Sequence, residues 1–215
     1  MPASQEDIAY SPSWSSLIAL LAVGGLYAAL PANLAIGPRW FALVLIIGIE
    51  LPLLITHQTG RFQANKILAH VLAATLTLML LWSLTLLVRD VPSKREEPIA
   101  LLRSAVALWI TNVLIFASWY WRLDAGGPHL RSLRPNHEDG AFLFPQMTLQ
   151  DQNGEQPVWQ PQFIDYLFLS FNTSTAFSPT DAPILSRWAK VLVMIQSSIS
   201  LTVVVILAAR AINIL

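Results

Sequence analysis

Cysteine is absent from the 215-residue chain, and charge is scarce: only 12% of the residues are Asp, Glu, Lys or Arg. The first absence excludes a disulfide scaffold, thiolate metal sites and a cysteine nucleophile. The second sets the chain apart from soluble domains, in which about 25% of residues are charged. Lysine and arginine (13) balance aspartate and glutamate (13), so there is no net charge either. A neutral chain lacks the basic footprint of a nucleic-acid binder and the charge excess that keeps many soluble proteins apart. What is plentiful is apolar: 54% of residues are hydrophobic, and the mean hydropathy is +0.54. This composition predicts an all-α integral membrane protein whose first partner is the lipid bilayer.

A helix needs about 20 mostly apolar residues to cross the hydrocarbon core. Five segments approach that length: 14–30, 39–56, 66–88, 99–121 and 186–215. Glu6 and Asp7 precede the first, with no Lys or Arg. A secretory leader begins with basic residues, so the first segment reads as a retained span. Basic residues divide almost evenly between the two sides. The positive-inside rule therefore turns on the dense run RDVPSKRE between the third and fourth spans, which places that side in the cytoplasm. The loop 122–160 is then external, and it carries Asp124, Glu138, Asp139, Asp151 and Glu155. A connection of that length is usually functional or disordered. Residues 1–98 form a three-helix N-terminal region and residues 99–215 a second region.

The second region holds the most informative stretch. A short apolar piece, Phe163 to Asn172, is followed by a polar run, Thr173 to Asp181, and then by the last span. Ten residues cannot cross a bilayer, so the layout predicts a re-entrant loop. It resembles the pore domain of the potassium-channel superfamily. That resemblance implies an outer helix at 99–121, an external loop at 122–160, a pore helix and filter-like turn at 161–182, and an inner helix at 186–215. Thr175, Ala176, Phe177, Ser178, Pro179, Thr180 and Asp181 fall on the filter, Arg187 on the post-filter arginine, and Ala209-Arg210 on the pair near the inner helix end. It also implies a homotetramer enclosing a path for inorganic ions. The filter glycines are replaced by Ser178 and Thr180, and the tyrosine between them by Pro179. Glycine reaches backbone angles that cost other residues, and proline fixes φ, so a potassium-type carbonyl filter is not expected.

On the last helix Gln196, Ser200, Val203 or Val204, Leu207 and Arg210 recur at helical spacing. They are the candidates to line a pore. Ser197, Ser198 and Thr202 read instead as polar glue between helices. A ring of Asp181 would favour cations, and a ring of Arg210 would oppose them.

A second resemblance rests on WYWRLDAGGP, FLFPQM, the stretch from DYLFLSF to AFSPTD, and the ending ARAINIL. These motifs resemble an uncharacterised family of bacterial integral membrane proteins. They imply the bacterial cytoplasmic (inner) membrane and bring no activity with them.

Three other readings stand beside the pore. Ser178-Pro179-Thr180-Asp181 also fits a helix start, with Ser as N-cap and Pro at the first position. Glu50 and His70 lie inside spans two and three, where ionisable groups are functional candidates. As a pair they would serve a proton-linked transporter or sensor. A non-conducting scaffold with a pore-like fold is the third. His129, His137, Glu138 and Asp139 cluster in the loop without a recognised ligand spacing, so no metal or cofactor is expected. No nucleophile–base set or phosphate loop is apparent, which points away from an enzyme. Trp119, Tyr120, Trp121 and Trp159 read as an interfacial aromatic belt.

Overall fold

The computed structural model describes residues 14–59, 61–90, 98–134, 136–137, 140–149, 159–178 and 181–212. Among them are α1 (Trp14–Ala28), α2 (Phe41–Gln58), α3 (Phe62–Asp90), α4 (Pro98–Leu123), α5 (Pro128–Ser132), α6 (Phe163–Ala176) and α7 (Arg187–Ile212). The described residues hold no strand beyond an isolated bridge between Phe142 and Ile184. Three helices are long and apolar enough to cross a membrane: Phe62–Asp90, Ile99–Gly126 and Arg187–Ala209. The other two apolar helices are shorter, α1 with 15 residues and α2 with 18. At 1.5 Å per residue they reach about 22 and 27 Å, against a hydrocarbon core of about 30 Å. Of the five spans expected, three therefore have full spanning length.

α4 organises the bundle. It packs against α1, α3, α6 and α7, and its buried residues, among them Leu101, Ala105, Leu108, Asn112, Phe116 and Tyr120, run its whole length. From Thr111 to Ser118 nearly every side of it is buried, as expected of a helix with neighbours all round. One continuous core extends from Ala19 to Ile206, so the 1–98 and 99–215 regions share it. Small residues set the closest approach: a Cβ on Gly24 of α1 would lie 2.6 Å from Leu43 of α2. The α2–α3 turn is clasped by Asn65, whose Nδ2 donates to Leu53 O at 2.6 Å and to Thr56 Oγ1 at 3.1 Å.

The segment after α4 departs from the solvated loop expected of it. The helix runs into a 3-10 turn at Asp124–Gly126, and Ala125, Gly126 and Gly127 all have positive φ. Gly127 has φ 99° and would bring a Cβ to 2.9 Å from the Arg122 carbonyl, so only glycine fits there. Phe142 and Phe144 then turn inward, and both are buried. The chain pairs with the stretch before α7: Leu143 N–H donates to Pro183 O (3.0 Å) and Leu185 N–H to Ala141 O (2.8 Å). The described part of the loop is a packed cap.

Two boundaries change the reading of the filter-like stretch. α6 extends to Ala176, so Thr175 and Ala176 belong to its last turn. The Thr173 and Thr175 hydroxyls donate to the carbonyls of Leu169 and Phe171, and the helix stops where Phe177 adopts a left-handed φ of 55°. α7 starts only at Arg187, with Ser186 Oγ accepting from Ala189 N–H at 3.3 Å. The helix-start reading of Ser178 to Asp181 is therefore overturned, because Ser186 caps that helix. Asp181 lies in a turn before it. Pro179 and Thr180 lie outside the described residues.

Candidate functional site

Gln196 lies ten residues into α7, about 14 Å from its start, and is completely buried. Its Nε2 donates to Ser170 O (2.8 Å), Ser170 Oγ (2.7 Å) and Ser174 Oγ (2.9 Å), and its Oε1 accepts from the Tyr120 hydroxyl at 2.6 Å. Beside it Asn112 Nδ2 donates to Ser200 Oγ (2.8 Å), and Ser170 Oγ donates to Val113 O (2.7 Å). Polar groups in an apolar interior cost several kcal/mol each unless hydrogen-bonded, and here α4, α6 and α7 satisfy one another at every named group but Asn112 Oδ1, which has no partner among the described residues. Gln196 and Ser200, expected to line a pore, are sealed inside the chain. Of the three residues expected as glue, Ser198 and Thr202 donate to carbonyls of their own helix, and Ser197 reaches the Phe177 carbonyl at 3.5 Å. Leu207 rests partly buried against the core, and the Arg210 side chain lies outside the described residues.

A second polar centre ties the cap to the bundle. The Asp124 carboxylate is fully buried. Oδ2 accepts from the Tyr166 hydroxyl at 2.6 Å and lies 3.0 Å from His137 Nε2, while Oδ1 accepts from Ala141 N–H at 2.5 Å. Arg131, also buried, donates through Nη1 to the carbonyls of Trp121 and Asp124, both at 2.8 Å. Its guanidinium lies 4.3 Å from the centre of the Trp121 ring and 5.2 Å from that of Tyr166, the geometry of a cation–π contact. Tyr120, Trp121 and Trp159 are thus drawn into the cap rather than forming a belt: Trp159 packs on Phe144 with ring centres 5.5 Å apart, and Tyr120 packs on Phe142 at 5.1 Å. Trp119 Nε1 donates to Thr77 on α3 at 3.0 Å. Of the loop cluster weighed for a metal, His137 joins Asp124, His129 stacks on Phe62 with ring centres 3.6 Å apart, and Glu138 and Asp139 lie outside the described residues.

Sequence reasoning passed over Asp124, Arg131 and Tyr166 as site residues. The one signal was DAGGP, whose glycines and proline at a helix end mark a turn; the partners of the Asp124 carboxylate, Tyr166 and Ala141, lie outside that motif.

Glu50 and His70 do not pair. Glu50 Oε1 meets Arg122 Nη2 at 3.1 Å, with both side chains largely buried. His70 Nδ1 bonds to the Lys66 carbonyl at 2.5 Å, one turn earlier on its own helix. A buried carboxylate is stable only beside a compensating charge, and the end of α4 supplies one nearer than α3 does.

The filter-like stretch is the exposed counterpart of these centres. Tyr166 of α6 meets Asp124 at the end of α4, whereas Ser174 meets Gln196. Past Ala176, the Phe177 carbonyl accepts a long (3.5 Å) bond from Ser197. By Pro183 the chain is back beside Leu143. Thr175, Ala176, Phe177, Ser178 and Asp181 are all exposed in the single chain. Comparisons with protein-family models, curated proteins and solved structures find no match to this chain.

Proposed function

We propose that the chain is one subunit of a homotetrameric membrane pore that passes inorganic cations without a potassium-type filter. The observation that carries this reading is the exposure of Thr175 to Ser178 at the level of Ser197, about 15 Å along α7. Hydroxyls and irregular backbone at that depth are stable only against protein or a water-filled cavity. Within the described residues the Thr175 hydroxyl bonds to carbonyls of its own helix and the Phe177 carbonyl receives a long bond from Ser197, yet the turn stays exposed; copies around an axis would give it both protein and a water-filled cavity. On this reading α6 is a re-entrant helix, α1 and α2 complete five crossings by thinning the bilayer locally, and the protein resides in a bacterial cytoplasmic membrane. Asp181, exposed where the chain returns, gives a ring of carboxylates that favours cations. The wall of the path comes from the exposed stripe Met194, Ser198, Leu201 and Val205 of α7 in place of Gln196 and Ser200, and an apolar constriction of this kind gates by dewetting.

The test is the mass of the purified protein in detergent, followed by single-channel recording in planar bilayers under salt gradients. A tetramer whose cation preference falls in Asp181→Asn supports the proposal. A monomer or dimer that stays silent across voltage and pH ends it.

A further inference from the structure

A cleft of about 240 Å³ opens between the first turns of α3 and the segment that follows α4, away from the filter-like turn. Its walls are mostly apolar, and its polar side chains are the basic Lys66 and His70 from α3, Arg122 from the end of α4 and His129 from α5, together with the neutral amides Gln63 and Asn65. No carboxylate lines it. Arg122 uses one of its five N–H groups on Glu50, and among the described residues its side chain makes no other hydrogen bond. Lys66 has no ion-pair partner among them. His70 spends its Nδ1–H on the Lys66 carbonyl, so in the neutral ring Nε2 is an acceptor and the donors to an anion are Lys66 and Arg122. With neutral imidazoles the lining carries two cations against the single Glu50 carboxylate. Phe62 and Leu130 at the rim are each 42% exposed.

We propose that this cleft binds a phosphate-bearing anion. A phosphate group offers several acceptor oxygens to the Arg122 fork and the Lys66 ammonium together, and it neutralises the surplus cation at the edge of a low-dielectric region. The volume lies below the roughly 300–1,000 Å³ of drug-sized pockets, which suits a head-sized anion. The source is either a soluble phosphate ester or the headgroup of an anionic phospholipid. The position at the start of α3, with the exposed apolar rim residues Phe62 and Leu130, admits both.

The site is tested on purified full-length protein in neutral detergent. Its thermal midpoint is followed while inorganic phosphate, glycerol phosphate or phosphatidylglycerol in mixed micelles is added, with sodium chloride at matched ionic strength as reference. A ligand that binds only the folded state raises the midpoint with concentration. Stabilisation by glycerol phosphate identifies a soluble source, and stabilisation by phosphatidylglycerol alone identifies the lipid. In either case apparent affinity falls about tenfold in Lys66→Gln, the loss expected for one charge-assisted bond, and returns in Lys66→Arg. Lys66 is exposed, so its replacement leaves the fold intact. No stabilisation beyond sodium chloride by any probe, or stabilisation unchanged in Lys66→Gln, overturns the proposal. Neither result bears on conduction through the filter-like turn.

Discussion

The phenol of Tyr120 donates a 2.6 Å hydrogen bond to Gln196 Oε1, joining the last turn of α4 to the upper half of α7. Because Gln196 also holds Ser170 and Ser174, a single amide fixes the position of α6 against both neighbours. Gln196→Leu leaves the Tyr120 hydroxyl without an acceptor in a buried site, at a cost of about 2 kcal/mol of stability. Tyr120→Phe, which removes one bond and keeps the ring, costs about 1 kcal/mol. The double variant should lose less than the sum, since both changes remove the same bond. Unfolding titrations in mixed micelles measure all three, and strict additivity would show that the bond contributes nothing.

Asp124 is the fastening of the cap. Asp124→Asn replaces a carboxylate that accepts two hydrogen bonds and faces His137 by a group that must donate from one side, and it is expected to lower stability by about 2 kcal/mol. Tyr166→Phe is expected to cost about half of that. Limited proteolysis within residues 128–160 should accelerate in Asp124→Asn before α3 and α4 are cut. Equal susceptibility in the two proteins would mean that the carboxylate does not hold the cap.

Glu50→Gln isolates a largely buried Arg122 guanidinium. Removing one member of such a pair costs about 3 kcal/mol. Arg122→Gln in the same chain should restore part of the loss, because the uncompensated charge is then gone. A double variant no more stable than Glu50→Gln would refute a charge-based penalty.

Gly140 offers a test of close packing. A Cβ there would come within 2.3 Å of His137 Nε2, and that ring is held against Asp124. Gly140→Ala should therefore destabilise the protein by about 1–3 kcal/mol, the usual cost of overpacking. Gly25→Ala is the control: a Cβ on that residue of α1 meets nothing within 4 Å, and helix propensity favours alanine by up to about 1 kcal/mol. Thermal unfolding of the two variants in parallel should move in opposite directions.

Long apolar runs made α3, α4 and α7 legible in the sequence, because the number of residues needed to cross hydrocarbon is set by the bilayer. The short helix from Phe163 was legible for the same reason, by being too short. Its end was not: Thr173 to Ala176 read as a polar turn, yet the Thr173 hydroxyl bonds to Leu169 four residues back in the helix, and Ser174 accepts from Gln196, 22 residues away. Helical spacing showed that Gln196 and Ser200 share a face of α7, but one helix alone does not say whether that face meets water or a neighbour. The polar loop concealed the cap because Asp124, Arg131 and His137 find their counter-groups only in three dimensions. Glu50 was expected to pair with His70; its partner in space is Arg122, 72 positions along the chain, which no local spacing could indicate.

The hydrogen bonds of α6 also constrain the order in which the molecule is assembled during synthesis. Ser170 depends on α4, which is made earlier, while Ser174 depends on Gln196, which is made later. Until α7 emerges, a helix of 14 residues can neither cross the bilayer nor hide its hydroxyls within it. The Asp124 centre can already close, because Ala141 and Tyr166 are made before α7, whereas Ser174 meets its partner only once Gln196 has been added.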